Sequence, residues 1–218
     1  GLISSKLNST TDDETKELIF DFESYNAAKE QIKSGKFVTP NPVKKIRIGY
    51  LSSDHDAALF VLVKEWKYFK EHYNSYIKPT NELKPKLGGG ELYINGEKIA
   101  DVEFVEGTAG PNLMILMQQN AIQYAIAGAP PYLSAIDKSS GNVVLKILCP
   151  IQTEGSGLIA SINSPASDWD SFVNWIKERS ASGKNVVIAV PQLGSIQDMQ
   201  IKAALKSAGI NYDIKKSA

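Results

Sequence analysis

Residue types that often build catalytic or metal sites are scarce in this 218-residue chain. It has one cysteine, Cys149, two histidines, His55 and His72, and two arginines, Arg47 and Arg179. A single thiol excludes an internal disulfide and a cysteine-based metal site, and two histidines are too few for a dedicated transition-metal site. We therefore expect neither a metal nor a cofactor.

The chain also lacks net charge and long apolar runs. Its 24 Lys and Arg balance 24 Asp and Glu, which removes the positive field that nucleic-acid binding usually needs. The densest apolar run, 143–151, is interrupted by Lys146, so no segment reaches the roughly 18–20 apolar residues of a membrane span. The chain begins GLISSK, without a basic segment followed by an apolar one. We expect either a cytosolic protein or one whose leader has been removed.

What the chain does have is an alternation of strand-like and helix-like segments, with a globular apolar content of 43%. Short apolar runs are followed by Gly-, Pro- or Ser-containing turns and then by amphipathic segments. This order predicts an α/β protein with mainly parallel sheet. The predicted strands are 46–51, 92–94, the overlapping segments 99–105 and 102–106, 124–127, 143–149, 158–162, 186–190 and 211–214. The predicted helices are 14–34, 57–72, one that begins at residue 112, 132–138, 168–179 and 196–208.

Local signals refine these boundaries. Asn95-Gly96 predicts a type I′ hairpin turn, because both residue types tolerate positive φ. Ser167 is the predicted N-cap of the helix 168–179, and Gly209 is the predicted end of the helix 196–208. Residues 73–90, which contain prolines and three consecutive glycines, are predicted to form a loop.

The turns after the predicted strands share one character: they are small, polar, largely uncharged and followed by a helix. In parallel sheets, ligands bind outside the carboxyl ends of the strands. Helix N-termini offer unpaired N–H groups, so the turns around Thr108 and Ser195 are candidate anion cradles. Ordinary capped turns would look the same, so no single turn decides between the two interpretations. The turns are 52–56, 107–112, 128–131, 152–156 and 192–197.

Other chemistry finds little support. The sequence has no GxGxxG, no GxxxxGK[ST] and no GxSxG motif, which removes the usual signals of dinucleotide, phosphate and serine-hydrolase sites. Asp54-His55-Asp56 offers a carboxylate–imidazole pair that could serve acid–base chemistry. We favour a ligand-contacting or capping role for Asp54 and His55 over catalysis.

Four stretches resemble, in order, the solute-binding proteins of nitrate/sulfonate/taurine-type ABC transporters. IRIGYLSSDHDAALFVLVKEWKYFKEH (46–72) is similar to the opening of lobe one in that family. VEFVEGTAGPNLMILMQQNAIQYAIAGAPPYLSAI (102–136) is similar to the next strand, glycine turn and helix. QTEGSGLIAS (152–161) resembles the crossing into lobe two, and NVVIAVPQLGSIQDMQIKAALKSAGIN (185–211) resembles the strand–turn–helix of that lobe.

The resemblance implies a two-lobed, type II periplasmic-binding-protein-like fold that encloses a solute and delivers it to an ABC transporter permease, without catalysis. The implied solute is a small anion such as nitrate, a sulfonate or taurine, or bicarbonate, and the implied location is extracytoplasmic. Implied contacts are Ser53, Asp54, His55, Gly107, Thr108, Ala109 and Ala129 from lobe one, and Glu154, Gly194 and Ser195 from lobe two.

The same resemblance divides the chain into an N-terminal extension or linker (1–45), which is a candidate membrane tether, lobe one (46–152) and a partial lobe two (153–218). Family members normally continue beyond this point, so we expect the second lobe to be incomplete. Two alternatives stay open. One is a small α/β enzyme that uses Asp54, His55 and Glu154 for acid–base chemistry. The other is a truncated, ligand-incompetent paralogue that self-associates through an exposed sheet edge.

Overall fold

The structure is a computed structural model that describes residues 22–36, 45–81, 87–139, 145–151 and 156–215. The chain forms two compact units, Gly1–Thr153 and Glu154–Ala218. None of the helices in the described ranges combines the length and the apolar character needed to cross a membrane.

The first unit is built on a five-stranded sheet in the order β2-β3-β4-β1-β5. Strand β1 lies between β4 and β5 and is parallel to both, whereas β2, β3 and β4 pair in antiparallel fashion. The predicted α/β class is therefore confirmed, with a parallel centre and an antiparallel extension on one side. The strands are β1 (Lys45–Leu51), β2 (Tyr76–Pro79), β3 (Gly90–Ile94), β4 (Glu97–Gly107) and β5 (Tyr124–Ala125).

The described residues of the same unit form five helices, α1 (Phe22–Lys33), α2 (Ala57–Lys64), α3 (Trp66–Tyr73), α4 (Gly110–Gln118) and α5 (Ala129–Lys138), with a short 3-10 turn at Asp54–Asp56. Helix α1 is the described part of the predicted helix 14–34, and Gly35 follows it at φ +69°. Residues 14–21 lie outside the described residues.

The predicted hairpin is confirmed. Asn95 and Gly96 have φ values of 50° and 83°, the positive values that a type I′ turn requires. The turn joins β3 to β4, and β4 then continues as the parallel neighbour of β1, with Leu51 opposite Gly107 at its end. One strand thus combines the predicted segments 99–105 and 102–106.

Two predictions for residues 57–90 are wrong. The predicted helix 57–72 is two helices, because Glu65 leaves helical geometry (φ −96°, ψ 28°) and ends α2 while starting α3. The predicted loop 73–90 contains β2, which pairs with β3 between Tyr76 and Tyr93 at one end and Pro79 and Gly90 at the other. Strand β2 has only four residues, and one of them is charged and one is proline, so its own sequence does not favour a strand. Its pairing is therefore set by the neighbouring hairpin.

The two faces of the sheet carry separate hydrophobic cores. Because side chains alternate along a strand, Tyr50 and Phe104 face the core beneath α2, whereas Leu51 and Val105 face the core beneath α4 and α5. The α2 core consists of Tyr50, Leu59, Val63, Ile77, Val102 and Phe104. The other core consists of Leu113, Met114, Ile122, Tyr132, Ala135 and Leu145.

The segment after α5 does not form the predicted strand 143–149 in its described part, residues 145–151. It is held instead by Tyr132, whose buried hydroxyl donates a 2.6 Å hydrogen bond to the Leu145 carbonyl. Burial raises the pKa of Tyr132 to about 12, so the phenol stays protonated and the bond persists across the physiological pH range.

The second unit contains helices α6 (Trp169–Ala181) and α7 (Ile196–Ser207) around a small core of Phe172, Ile176 and Leu205. Among its described residues there is no sheet, so the predicted strands 158–162, 186–190 and 211–214 are wrong as regular strands. Val186 and Ile188 pack on the core, but Val187 is 84% exposed, because no strand within the described ranges pairs with this segment.

The caps of these two helices follow simple sequence signals. Asp168, and not the predicted Ser167, is the N-cap of α6; its carboxylate accepts from the Ser171 N–H at 2.8 Å. An ionised carboxylate is the stronger acceptor at a helix N-terminus. Gly209 follows α7 at φ +68°, as predicted for the end of that helix.

Gly49→Ala tests the packing of α4 against the sheet. A Cβ at this position would meet the Ile122 side chain and lie 2.9 Å from Leu113 Cδ2, so we expect a loss of about 1–3 kcal/mol in the free energy of unfolding. Urea denaturation measures the change. Gly157→Ala is the matched control, because its Cβ would meet nothing within 4 Å. Equal midpoints for Gly49→Ala and the wild type would contradict this packing.

Candidate functional site

Three turns of the first unit lie side by side at one edge of the sheet. Strands β4, β1 and β5 are parallel neighbours, and Leu51 pairs with Gly107 while Gly49 pairs with Ala125. Their carboxyl ends therefore reach the same edge, and the segments 52–56, 107–112 and 126–131 follow them there. We call these three segments the carboxyl-edge turns. Seven of the predicted site residues lie in them: Ser53, Asp54, His55, Gly107, Thr108, Ala109 and Ala129.

The first turn presents a polar group that the protein itself does not satisfy. Ser53 N–H donates to the Leu51 carbonyl at 2.8 Å, and the Ser53 carbonyl accepts from Asp56 N–H at 3.1 Å. The Ser53 hydroxyl oxygen is buried and has no hydrogen-bond partner among the described residues. Asp54 is exposed and His55 is half-buried beside it. A buried hydroxyl without a partner can bond a ligand once a movement of the turn exposes its oxygen.

Asp56 belongs to the same turn but was not among the predicted site residues. It is fully buried, and its Oδ2 accepts a short hydrogen bond from the Leu51 N–H, which ties the turn to the end of β1. Its Oδ1 has no partner among the described residues. Burial raises the pKa of Asp56 to about 6, against the lowering effect of the Leu51 N–H and the nearby His55. The carboxyl thus titrates close to neutral pH.

The second turn is shaped by glycine and asparagine. The Asn112 side-chain oxygen accepts from the Thr108 N–H at 3.1 Å, which folds the turn back onto the start of α4. A Cβ on Gly107 would lie 2.5 Å from Leu113 Cδ2, so any larger residue there would have to displace the Leu113 side chain. Ala109 is the buried N-cap and has no side-chain hydrogen bond to offer, while Thr108 is exposed.

The third turn meets the second directly. A Cβ on Gly110 would lie 2.8 Å from Pro131 Cγ, so the N-termini of α4 and α5 are in contact. Gly128 is the N-cap of α5 and likewise provides no side-chain cap. Pro111, Pro130 and Pro131 have no N–H, so this junction has fewer backbone donors than two ordinary helix N-termini would offer. Ala129, which is exposed, keeps its N–H.

The carboxyl-edge turns contain Asp54 and Asp56 but neither lysine nor arginine. An anion at this edge would have to be held by neutral N–H and hydroxyl donors together with His55. Across the described parts of the chain, no group of three or more His, Cys, Asp or Glu side chains is placed to hold a metal ion.

In the second unit, Gly194 and Ser195 form the cap of α7. The Ser195 hydroxyl accepts from the Asp198 N–H at 3.2 Å, and the Gly194 N–H donates to Asp198 Oδ2 at 2.9 Å. The same Oδ2 accepts from Lys202 Nζ at 2.7 Å. Asp198 is 3% exposed, so its carboxylate already occupies the position that an anion would take at this helix.

The structure therefore treats the ten predicted site residues differently. It brings the seven residues of the first unit to a common edge, it engages Gly194 and Ser195 in a helix cap of the second unit, and Glu154 lies outside the described residues. Asp198 and Asn112 are not among the predicted site residues. The Ser195-x-x-Asp198 spacing is a capping signal that could have identified Asp198, whereas the Asn112 contact depends on the path of the turn.

Comparisons with known proteins give one family and one relative. A family model described as the NMT1-like family matches residues 39–218. The uncharacterized protein MJ1180 of Methanocaldococcus jannaschii is 33% identical to this chain over 113 residues, which are 51% of this chain and 73% of that protein. No solved structure matches the chain significantly. The family match includes all three carboxyl-edge turns.

Asp56→Asn tests the buried carboxyl by its pH dependence. The pKa of Asp56 is about 6 in the folded protein and lies above its ordinary value of 3.8, so the folded chain binds this proton more tightly than the unfolded chain. The stability from this group is present below about pH 4 and is lost as the pH rises to about 6, by roughly 3 kcal/mol.

Urea denaturation across this pH range measures the effect. We expect the wild type to lose stability relative to Asp56→Asn between about pH 4 and pH 6, with no further relative change above about pH 7. A difference between the two proteins that does not vary with pH would show that Asp56 titrates normally.

Proposed function

The chain belongs to the NMT1-like family, and from this premise we propose that it is an extracytoplasmic solute-binding protein that captures a small anion for an ABC importer. The family indicates a solute-binding role in ABC transport. Nitrate, a sulfonate such as taurine, or bicarbonate is the proposed solute, and the membrane permease of the importer is the proposed partner. No bond is made or broken in this function.

The observation that carries the proposal is the lack of side-chain caps at the carboxyl-edge turns. The helical elements that begin there, the 3-10 turn, α4 and α5, have no side-chain hydrogen bond at their N-caps. Helix α3, which begins elsewhere, also lacks a side-chain cap, whereas α6 and α7 of the second unit are capped by Asp168 and Ser195. Uncapped N-termini side by side favour an external acceptor, because their helix dipoles and the few N–H groups that the three prolines leave attract negative charge.

The polar side chains of the first turn support the same function. We assign the Ser53 hydroxyl, which is buried and which no described residue satisfies, the role of a donor to the solute when binding opens the turn. His55 is the one side chain of the carboxyl-edge turns that can carry a positive charge, and the residue is half-buried. Asp56 holds the turn in place through the Leu51 N–H and acts as a positioning residue.

The domain organisation belongs to the proposal as well. We assign lobe one to residues 46–152 and lobe two to residues from 153 onward, and the division into two compact units supports this assignment. Residues 1–45 would then form an extension or linker to lobe one. Contacts of Glu154, Gly194 and Ser195 with the solute stay predictions.

Isothermal titration with nitrate, taurine and bicarbonate tests the function. We expect saturable binding of at least one of the three, and an affinity about tenfold weaker in Ser53→Ala, because one hydrogen bond to the solute is lost. Ser182→Ala is the matched control: its hydroxyl donates to the Arg179 carbonyl at the exposed end of α6, and its loss should leave affinity unchanged. No heat with any of the three anions would contradict the proposal.

His55→Ala separates a carrier from an enzyme. In a carrier, the variant weakens binding and no product forms from the bound solute in either protein, because binding is the whole function. In an acid–base enzyme, the wild type converts the solute, and the variant loses that turnover while it still binds. Product analysis by nuclear magnetic resonance after incubation of the bound solute distinguishes the two.

A further inference from the structure

Helix α3 is unusual in that none of its eight residues is fully buried, although four are aromatic. It lies against β2, the edge strand of the sheet, and not over the centre of a core. Tyr68 and Tyr73 are 49% and 59% exposed, and Trp66 and Phe69 are half-buried. An amphipathic aromatic helix at an edge, with its rings only half covered, presents apolar surface to solvent.

Contacts among these rings hold them in a defined arrangement. Tyr68 stacks on His72 with ring centroids 4.1 Å apart, and the Tyr68 and Phe69 rings meet edge to face at 5.6 Å. Tyr73 in turn lies 5.9 Å from Phe69. The aromatic side chains are thus ordered before any partner arrives, which lowers the entropic cost of binding.

Lysines surround the rings. Lys67 Nζ and Lys78 Nζ lie 5.8 Å and 5.9 Å from the centroid of the Trp66 ring, and Lys70 Nζ lies 6.0 Å from that of Tyr76. Lys64, at the end of α2, is exposed as well. Residues 64–78 hold four lysines and two glutamates, so the local charge is positive although the whole chain is neutral. We call Lys64, Trp66, Lys67, Tyr68, Lys70, Tyr73 and Lys78 the aromatic–lysine surface.

We propose that the aromatic–lysine surface binds the face of an anionic phospholipid bilayer. Tyrosine and tryptophan prefer the membrane interface, where the ring enters the acyl boundary and the polar atom stays hydrated. Lysines beside them are attracted to the negative lipid headgroups, and their long stems let the ammonium reach the headgroup layer. The positive charge of this surface and the exposure of its rings together match an anionic bilayer, which supplies both a charged layer and an apolar layer.

Co-sedimentation of the full chain with vesicles tests the proposal. We expect binding to vesicles of equimolar phosphatidylcholine and phosphatidylserine, and at least about tenfold weaker binding to phosphatidylcholine alone. Two double variants remove one component each: Tyr68→Ser with Tyr73→Ser removes exposed rings, and Lys67→Glu with Lys70→Glu reverses charge. Each should weaken binding to the anionic vesicles by about tenfold or more.

Matched changes in the second unit provide the control. Tyr212, 45% exposed, and Lys177, also exposed, offer a comparable ring and charge outside this surface, and Tyr212→Ser with Lys177→Glu should bind as the wild type does. Absence of binding to the anionic vesicles, or wild-type binding by the ring variant, overturns the proposal. So does a dimer in lipid-free sedimentation velocity that the ring variant abolishes, because the surface would then bind a second copy.

Discussion

The arrangement of the first unit depends on the close approach of α4 to the sheet at two glycines. Cδ2 of the completely buried Leu113 lies 2.9 Å from where a Cβ on Gly49 would be and 2.5 Å from where one on Gly107 would be, so the helix sits directly on β1 and the end of β4. This contact fixes the height of α4 above the sheet and so the position of its N-terminus at the carboxyl edge. Gly110 allows a second close approach, because the absence of a side chain there leaves room for Pro131 of α5. Glycines in this protein therefore position the candidate site as much as they form its turns.

Asp56 has a comparable role for the first turn. Its buried carboxyl group accepts a hydrogen bond from the Leu51 N–H. Burial away from water disfavours the charged form of this group and raises its pKa. The protein keeps this unfavourable group at the same edge where no described residue bonds the Ser53 hydroxyl and where none caps the helix N-termini with its side chain. Unfavourable local interactions of this kind are common at functional sites, because a polar group whose hydrogen bonds are all made within the protein cannot also bond a ligand. The second unit shows the contrast, because Asp198 and Ser195 satisfy the start of α7 internally.

Much of this architecture is readable from the sequence, and the failures have physical causes. The order of β1, α2, β4 and α4 and the Asn95-Gly96 hairpin follow from local pattern and turn chemistry, which act over a few residues. Strand β2 was missed because its pairing is supplied by β3 rather than by its own side chains. The run around Val187 looked like a buried strand, but burial of a strand requires neighbours that composition does not report. The convergence of the carboxyl-edge turns could be predicted from parallel topology, whereas the burial of Asp56 could not, because charged side chains are normally exposed.

The central claim is that the carboxyl edge of β4, β1 and β5 is where the solute binds. Amide chemical shifts followed by nuclear magnetic resonance during titration with nitrate, taurine and bicarbonate test it residue by residue. The account predicts that one of these solutes shifts the amides of Ser53, Thr108 and Ala129 together and with a single dissociation constant. Saturable binding that leaves these three amides unshifted, or that shifts them with unrelated constants, would contradict it.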